Sequence, residues 1–238
     1  MANDYFQFKQ FRVNQSIAAM KVGTDGVLIG AWANCSGAKK ILDIGTGTGL
    51  IALMMAQRSK AMIDAIDIDL NAFFEAKKNI EKSPWPDRIY IYNESFQQFS
   101  DNPYHTGYDL IVSNPPYFSD SLKSEDISRT AARHNSLLPF EDLINGVKSA
   151  LSKNGIFSII LPVNGAKEFI EMAEESQLFC FRKTFVKPTP DIEPHRLMME
   201  FSKTKSDCIE DFLIIESGDR HQYSIEYTEL TKDFYLNF

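Results

Sequence analysis

Asp43-Ile44-Gly45-Thr46-Gly47-Thr48-Gly49 closes the short apolar run Ile41–Ile44 and leads into Leu50–Arg58, which reads as a helix. A glycine-rich turn between strand and helix brings backbone close to a bound molecule, because glycine lacks Cβ and tolerates positive φ. Outward from this turn the same alternation repeats. Met62–Ile66 reads as a strand, Asn71–Lys82 as a helix, Arg88–Tyr92 as a third strand and Tyr108–Ser113 as a fourth. Pro139–Leu151 reads as a helix closed by an Asn154-Gly155 turn, Ile156–Leu161 as a fifth strand and Gly165–Ser176 as a helix. Two β-rich runs, Leu178–Val186 and His195–Phe201, are joined by the proline-rich turn Lys187–Pro194. Alternation of this kind implies an α/β fold, a mostly parallel sheet with helices on both faces, and the last two runs predict an antiparallel hairpin at one edge. Before the turn, Thr24-Asp25-Gly26 predicts the start of a helix over Val27–Ala33, with Thr24 as N-cap. In the tail, Phe212–Ile215 reads as an added strand and Tyr227–Tyr235 as a terminal helix or a mobile segment.

A chain of 238 residues with 44% apolar content supports one well-buried α/β domain. No apolar stretch approaches the roughly 20 residues of a membrane span, and Met1–Phe11 lacks a signal-peptide core, so a cytoplasmic protein is expected. Cys35, Cys180 and Cys208 are odd in number and far apart, with no histidine at zinc-ligand spacing, which predicts buried thiols and no metal. The net charge of −7 is concentrated in residues 206–238, with eight acids against two bases, and residues 1–205 are close to neutral. A local basic and aromatic face for nucleic acid is therefore open, either at Phe6, Phe8, Lys9, Phe11 and Arg12 or within Phe181–Lys205; ordinary surface charge accounts for either segment equally well.

Gly45, Gly47 and Gly49 are spaced more tightly than the G-x-G-x-x-G of dinucleotide sites, where a pyrophosphate rests on the helix N-terminus. Asp43, ending the strand before them, disfavours a phosphate and favours a cationic ligand, directly or through water; the ammonium of S-adenosylmethionine suits it. Asp67 ends the next strand, where a carboxylate accepts hydrogen bonds from ribose hydroxyls, with Asp69 as its rival. An adenine would then lie near Glu94-Ser95-Phe96, with Ser95 as a hydrogen-bond partner and Phe96 packing on it or, equally, serving the core. Asn114-Pro115-Pro116-Tyr117 stands at the carboxyl end of the fourth strand, on the edge where open α/β sheets bind ligands. A ring amine is a poor nucleophile because its lone pair is delocalised. The Asn114 side-chain oxygen and the Pro115 carbonyl can each accept one of its N–H groups, turning the lone pair toward an incoming methyl. Pro115 and Pro116 stiffen this loop, Tyr117 can stack on the base, and Phe118 can add a second wall. In-line placement at a sulfonium needs no strong base, and His105, His134, His195 and His221 are scattered.

Taken with these motifs, Phe8-Lys9-Gln10-Phe11, Lys21-Val22-Gly23-Thr24-Asp25-Gly26-Val27 and Ala132-Arg133-His134 resemble the bacterial tRNA1(Val) adenine-N6-methyltransferase family over nearly the whole chain. The resemblance implies the seven-stranded class I methyltransferase sheet, S-adenosylmethionine as cofactor, and methylation of the adenine beside the anticodon. It further implies one domain, 1–238, whose N-terminal extension 1–39 covers the cofactor site with Thr24, Asp25 and Gly26, and whose residues 206–238 are an acidic addition. Many class I enzymes carry an acid where this chain has Ser95. An anticodon loop offers an unstacked base, and Arg129, Arg133 and His134 stand where phosphates can be met or where a solvated connection would run. The resemblance implies tRNA as partner; with no metal and no membrane expected from the cysteine spacing and the short apolar runs, the expected state is a monomer. The rival readings are a glutamine-N5-methyltransferase of release factors, methylation of ribosomal RNA or DNA, and a non-catalytic protein that binds S-adenosylmethionine or RNA. Only about 40 residues precede the turn, too few for the helical domain that release-factor enzymes carry there, and binding alone does not require two acceptors.

Overall fold

The computed structural model describes residues 4–116, 138–218 and 221–238. Two short strands, β1 (Tyr5–Gln7) and β2 (Arg12–Asn14), pair antiparallel ahead of helix α1 (Thr24–Trp32). The main alternation follows: β3 (Lys40–Ile44), α2 (Leu50–Arg58), β4 (Met62–Asp67), α3 (Leu70–Glu81), β5 (Ile89–Asn93), α4 (Phe96–Asp101) and β6 (Tyr108–Ser113). After the undescribed stretch come α5 (Phe140–Ala150), β7 (Leu151–Pro162), α6 (Val163–Glu175), β8 (Phe179–Lys187), β9 (Arg196–Ser202), β10 (Ile209–Ile214) and α7 (Ile225–Thr231).

Ile41–Ile44 are buried as a continuous run, the pattern of a parallel strand covered on both faces. Strand order is β10-β8-β9-β7-β6-β3-β4-β5. From β3 the chain steps outward to β4 and β5, then returns to place β6 on the other side of β3. That reversal opens a crevice beyond the carboxyl ends of β3 and β6, the place where such sheets bind ligands. One core joins α1, α2 and α3 to the terminal segments; the other packs α4, α5 and α6 on the opposite face.

The fold class is as expected, but the main sheet has eight strands and not seven. The hairpin β8–β9 is antiparallel as predicted, yet it lies one strand in from the edge, because β10 pairs parallel to β8 and closes its open side. β10 is the strand expected at Phe212–Ile215, begun three residues earlier; it is exposed along most of its length, with Leu213 its one buried residue, so no alternation marks its start. Asn154-Gly155 is not a turn but part of β7, at a register shift opposite Tyr108–Leu110. A Cβ on Gly155 would stand 2.5 Å from the Tyr108 carbonyl, so glycine is there to let two strands touch. Thr24 is the first residue of α1 and not its cap; Gly23 occupies the N-cap without a side-chain bond.

The two candidate basic and aromatic faces are absorbed by the fold. Phe8 and Phe11 are buried and stacked on each other, Phe8 and Phe6 pack on Tyr235, and Lys9 Nζ donates to the Lys232 and Phe238 carbonyls. Within 181–205, Arg182 pairs with Glu200 and lies over Trp32, Lys183 pairs with Glu210, and Arg196 pairs with Asp25. Lys187 and Lys203 donate to the carbonyls of Pro190 and Leu151, and Lys205 faces the Phe179 ring. Those cations hold the chain together.

Candidate active site

Register partners Ile44 and Ser113 end β3 and β6 side by side, and Ser113 Oγ donates to the Ile44 carbonyl at 3.0 Å. The glycine-rich turn and Asn114 therefore leave adjacent strands at the same level. On the other flank, the Ile66 carbonyl accepts from both Gly45 N and Thr46 N, which tucks the turn against the end of β4 and brings Asp67 beside it. Gly45 and Gly47 have φ of +70° and +58°, and no atom lies within 4 Å of where a Cβ would stand on either. The turn thus presents bare backbone to open space, a conformation that other residues adopt only with strain. Gly49 is the N-cap of α2 and abuts α3, with Ala76 Cβ 3.3 Å from where its own would be.

Asp43 lies beneath this turn with no exposure. Its Oδ2 accepts from Thr46 Oγ1 at 2.6 Å and from Ala52 N at 3.0 Å, while Oδ1 is buried without a partner among the described residues. Burial pushes its carboxyl up to about 7, against the pull of the Thr46 and Ala52 hydrogen bonds and with a smaller push from Asp67. An unsatisfied buried acceptor is costly unless something arrives to use it. Oδ1 and the open backbone of Gly45 and Gly47 fit a ligand with a cationic or N–H-bearing end.

Asp67 and Asp69 take different places in the fold. Asp69 is the N-cap of α3, its Oδ1 accepting from Ala72 N at 2.8 Å. Asp67 faces the turn, with Oδ2 accepting from Gly47 N at 2.8 Å and Oδ1 from Asp69 N at 2.9 Å. Burial raises its pKa, and those two N–H groups oppose the rise. Each oxygen keeps acceptor capacity for a diol. Between the two acids stands Ile68, an apolar side chain 52% exposed. Its signal was position alone, a lone apolar residue directly after a strand-end acid.

Ser95 follows β5, whose last residue Asn93 is in register with Asp67. It is the N-cap of α4 in a reciprocal capping box with Gln98, which occupies its hydroxyl. Phe96 is 4% exposed and lies against α5: a Cβ on Gly146 would stand 2.5 Å from its ring. It takes the core role, and the expected packing on an adenine is set aside because the ring is walled in.

Asn114 is half-buried, Pro115 buried and Pro116 exposed. Over Asn114 lies the first turn of α1: a Cβ on Gly26 would meet Leu50 Cδ2 at 3.0 Å and Asn114 Nδ2 at 3.9 Å, so glycine permits this approach. Thr24 is exposed, and Asp25 accepts from Arg196 Nε at 2.8 Å, joining α1 to the start of β9. Tyr117, Phe118, Arg129, Arg133 and His134 lie outside the described residues. A separate open concavity of about 420 Å³, lined by Lys39, Lys40, Met62, Asp64, Tyr90 and Tyr92, sits at the amino end of the strands, away from this constellation. Asp64 there is engaged by the Tyr92 and Tyr108 hydroxyls.

Residues 22–164 match the model of the methyltransferase small domain family. The tRNA1(Val) (adenine(37)-N6)-methyltransferase of Phocaeicola vulgatus is 48% identical over all of both chains. The enzyme of that name from Parabacteroides distasonis is 48% identical over 99% of each, and that from Trichodesmium erythraeum is 48% identical over all of both. Among solved structures, a predicted O-methyltransferase from Agrobacterium tumefaciens aligns with a TM-score of 0.70 at 16% identity, covering 88% of this chain and 96% of its own. A ribosomal protein L11 methylase from Lactobacillus delbrueckii subsp. bulgaricus aligns at 0.58 and 16%, covering 81% and 84%. These two show the fold. Together with the strand-end constellation, the sequence matches establish that the chain belongs to the methyltransferase small domain family and, within it, to the tRNA1(Val) (adenine(37)-N6)-methyltransferases.

Proposed function

We propose that this chain transfers a methyl group from S-adenosylmethionine to the exocyclic N6 of adenine 37, beside the anticodon of tRNA1(Val). The observation that carries the reading is the adjacency of Asn114 to the glycine-rich turn, fixed by the Ile44–Ser113 register. S-adenosylmethionine, when bound, supplies an electrophilic methyl on a sulfonium. The rest is positioning by the chain's own groups. Asp67 offers its carboxylate to the ribose hydroxyls, Gly45 and Gly47 leave backbone open to the amino-acid arm, and Asp43 Oδ1 waits as an acceptor beneath them. Asn114 Oδ1 and the Pro115 carbonyl accept the two N–H groups of the adenine amine and hold its lone pair toward the donor. Tyr117 stacks on the base, and Arg129, Arg133 and His134 meet phosphates of the loop.

Residues 1–39 serve as cover for the cofactor, with Thr24, Asp25 and Gly26 nearest to it, and residues 206–238 as an addition that closes the sheet at β10. Among the described residues no helix is long and apolar enough to cross a membrane, and no cluster of His, Cys, Asp or Glu could hold a metal ion. The chain acts as a monomer in the cytoplasm under this reading. Incubation with labelled S-adenosylmethionine and tRNA from cells lacking the enzyme, followed by nucleoside mass spectrometry, tests the reading. N6-methyladenosine in tRNA1(Val) is the expected product; label in protein, or none, rejects it.

A further inference from the structure

Helix α3 buries two polar side chains one turn apart, Glu75 at 2% exposure and Asn79 at 0%, beside the apolar stripe of Ala72, Ala76 and Ile80. Neither takes part in the chemistry above. Among the described residues no cation pairs with Glu75. Its Oε1 accepts from Ser16 N at 2.6 Å, Ser16 Oγ at 3.1 Å and Ile17 N at 3.2 Å, and its Oε2 from Ile17 N at 3.2 Å and Ala18 N at 2.6 Å. Three successive backbone N–H groups form a nest for an anion, and here the anion is the chain's own carboxylate. Asn79 Oδ1 accepts from Asn14 N at 2.9 Å and Asn14 Nδ2 at 2.8 Å; its Nδ2 donates to the Asn14 carbonyl and to the Thr48 carbonyl, both at 2.9 Å. Thr48 belongs to the glycine-rich turn. Farther along the strap, Gln15 Oε1 accepts from Val22 N at 2.9 Å, immediately before the Gly23 cap of α1.

We propose that Glu75 and Asn79 are positioning residues that lock the strap 14–22 onto the glycine-rich turn, so that the shape of the cofactor turn and the placement of Gly26 over Asn114 are set together. The inference rests on S-adenosylmethionine being the cofactor, as proposed above. Asn79 acts at both ends, gripping Asn14 and Thr48 with one amide. Glu75 acts on the strap alone. Loss of the Glu75 clasp therefore loosens the strap without touching any group assigned to cofactor or base, and loss of Asn79 disturbs strap and turn together.

Lys21, exposed in the strap, provides a trypsin site that reports docking directly. The experiment compares the full-length wild type with Glu75→Gln and Asn79→Asp, measuring cleavage after Lys21 with and without S-adenosylmethionine, calorimetric affinity, thermal unfolding, and kcat with KM for the cofactor. In Glu75→Gln an amide N–H faces at least one backbone N–H of the nest. Cleavage without cofactor accelerates, and the dissociation constant and KM for S-adenosylmethionine rise about tenfold. Saturating cofactor re-docks the strap, restores protection of Lys21 and returns kcat to near the wild-type value. A purely structural role would lower thermal stability and leave KM where it was.

Glu75→Gln that binds the cofactor as wild type does, whether or not Lys21 is cut faster, overturns the coupling. Should Asn79→Asp fail to fold, the Glu75 variant decides alone. A wild type that does not bind S-adenosylmethionine overturns the cofactor reading and the coupling with it, whereas cofactor-free cleavage still judges the clasp by itself.

Discussion

Three buried carboxylates divide the sheet into two halves that treat charge differently. On the antiparallel side, Glu200 of β9 is 1% exposed and fully engaged: Oε1 accepts from Asn34 N and Ser158 Oγ, and Oε2 faces Arg182 Nη1 at 3.3 Å. On the parallel side, Glu75 is saturated by backbone donors, but Asp43, equally buried, keeps one oxygen with no partner among the described residues. The antiparallel half spends its polar groups on holding strands together. Among the described residues, the parallel half leaves Asp43 Oδ1 unused at the carboxyl end of β3, beside the crevice where the strand order reverses. The contrast teaches that burial alone does not mark a site; burial with an unused hydrogen-bonding capacity does.

The sharpest way to break the comparison is at Asn114. Asn114→Ala removes one of two acceptors for the adenine amine, and kcat is expected to fall by about 10² to 10³, the usual consequence of deleting one positioned polar group from a reacting centre. S-adenosylmethionine affinity, measured by calorimetry, should change little. Turnover equal to wild type would remove Asn114 from the chemistry. Asp67→Ala is next. It deletes the diol acceptor and also releases Gly47 N and Asp69 N, so affinity for S-adenosylmethionine should weaken by about 10- to 100-fold. Asp69→Ala instead removes an N-cap, costing about 1 kcal/mol of stability with a much smaller change in affinity. If the two variants lose affinity equally, the distinction between ligand acceptor and helix cap fails.

Much of this was readable in the sequence where punctuation is strong. α2 begins directly after Gly49 and β6 ends directly before Asn114-Pro115-Pro116, and both elements have the limits their glycines and prolines suggest. Asp67 ends β4 as its place in the sequence suggests, and Asp69 caps α3, a role that the N-terminal position before an apolar-periodic run also suggests. Other features left no local trace. Strands of three residues, β1 and β2, are too short for periodicity to show. Glu75 and Asn79 read as the polar face of an amphipathic helix, because nothing nearby in sequence reveals that their donors lie some 60 positions earlier. The basic residues of 181–205 suggested a nucleic-acid face, and only the fold brings Glu200, Glu210 and Asp25 to them.

Asp43 sharpens the comparison through pH. Its carboxyl is held up at about 7 in the folded chain against 3.8 ordinarily, with burial as the main cause. Between those values the folded chain retains a proton that the unfolded chain has released. Its contribution to stability therefore declines as pH rises from about 4 to about 7 and is flat above that. A cationic arm near Oδ1 favours the ionised form, so cofactor binding expels this proton at lower pH. The dissociation constant for S-adenosylmethionine should fall about tenfold between about pH 6 and about pH 8, then level off. Asp43→Asn should flatten the profile. A wild-type affinity independent of pH over that range would show that Asp43 does not sense the ligand's charge.

The smallest effect on catalysis belongs to the other half of the sheet. Glu200→Gln keeps one acceptor for Asn34 N or Ser158 Oγ but gives up the charge opposite Arg182, whose guanidinium also lies over Trp32 at 4.0 Å. Arg182 is partly exposed, so solvent screens the pair and softens the loss, and unfolding free energy should drop by about 1–2 kcal/mol, read from denaturant midpoints at unchanged slope. Affinity for S-adenosylmethionine and kcat should stay within about twofold of wild type, less than the tenfold that 1.4 kcal/mol would produce at a ligand site. A variant that keeps its stability but loses cofactor affinity would mean that the engaged carboxylate of the antiparallel half also serves the ligand, and the division between the two halves would not hold.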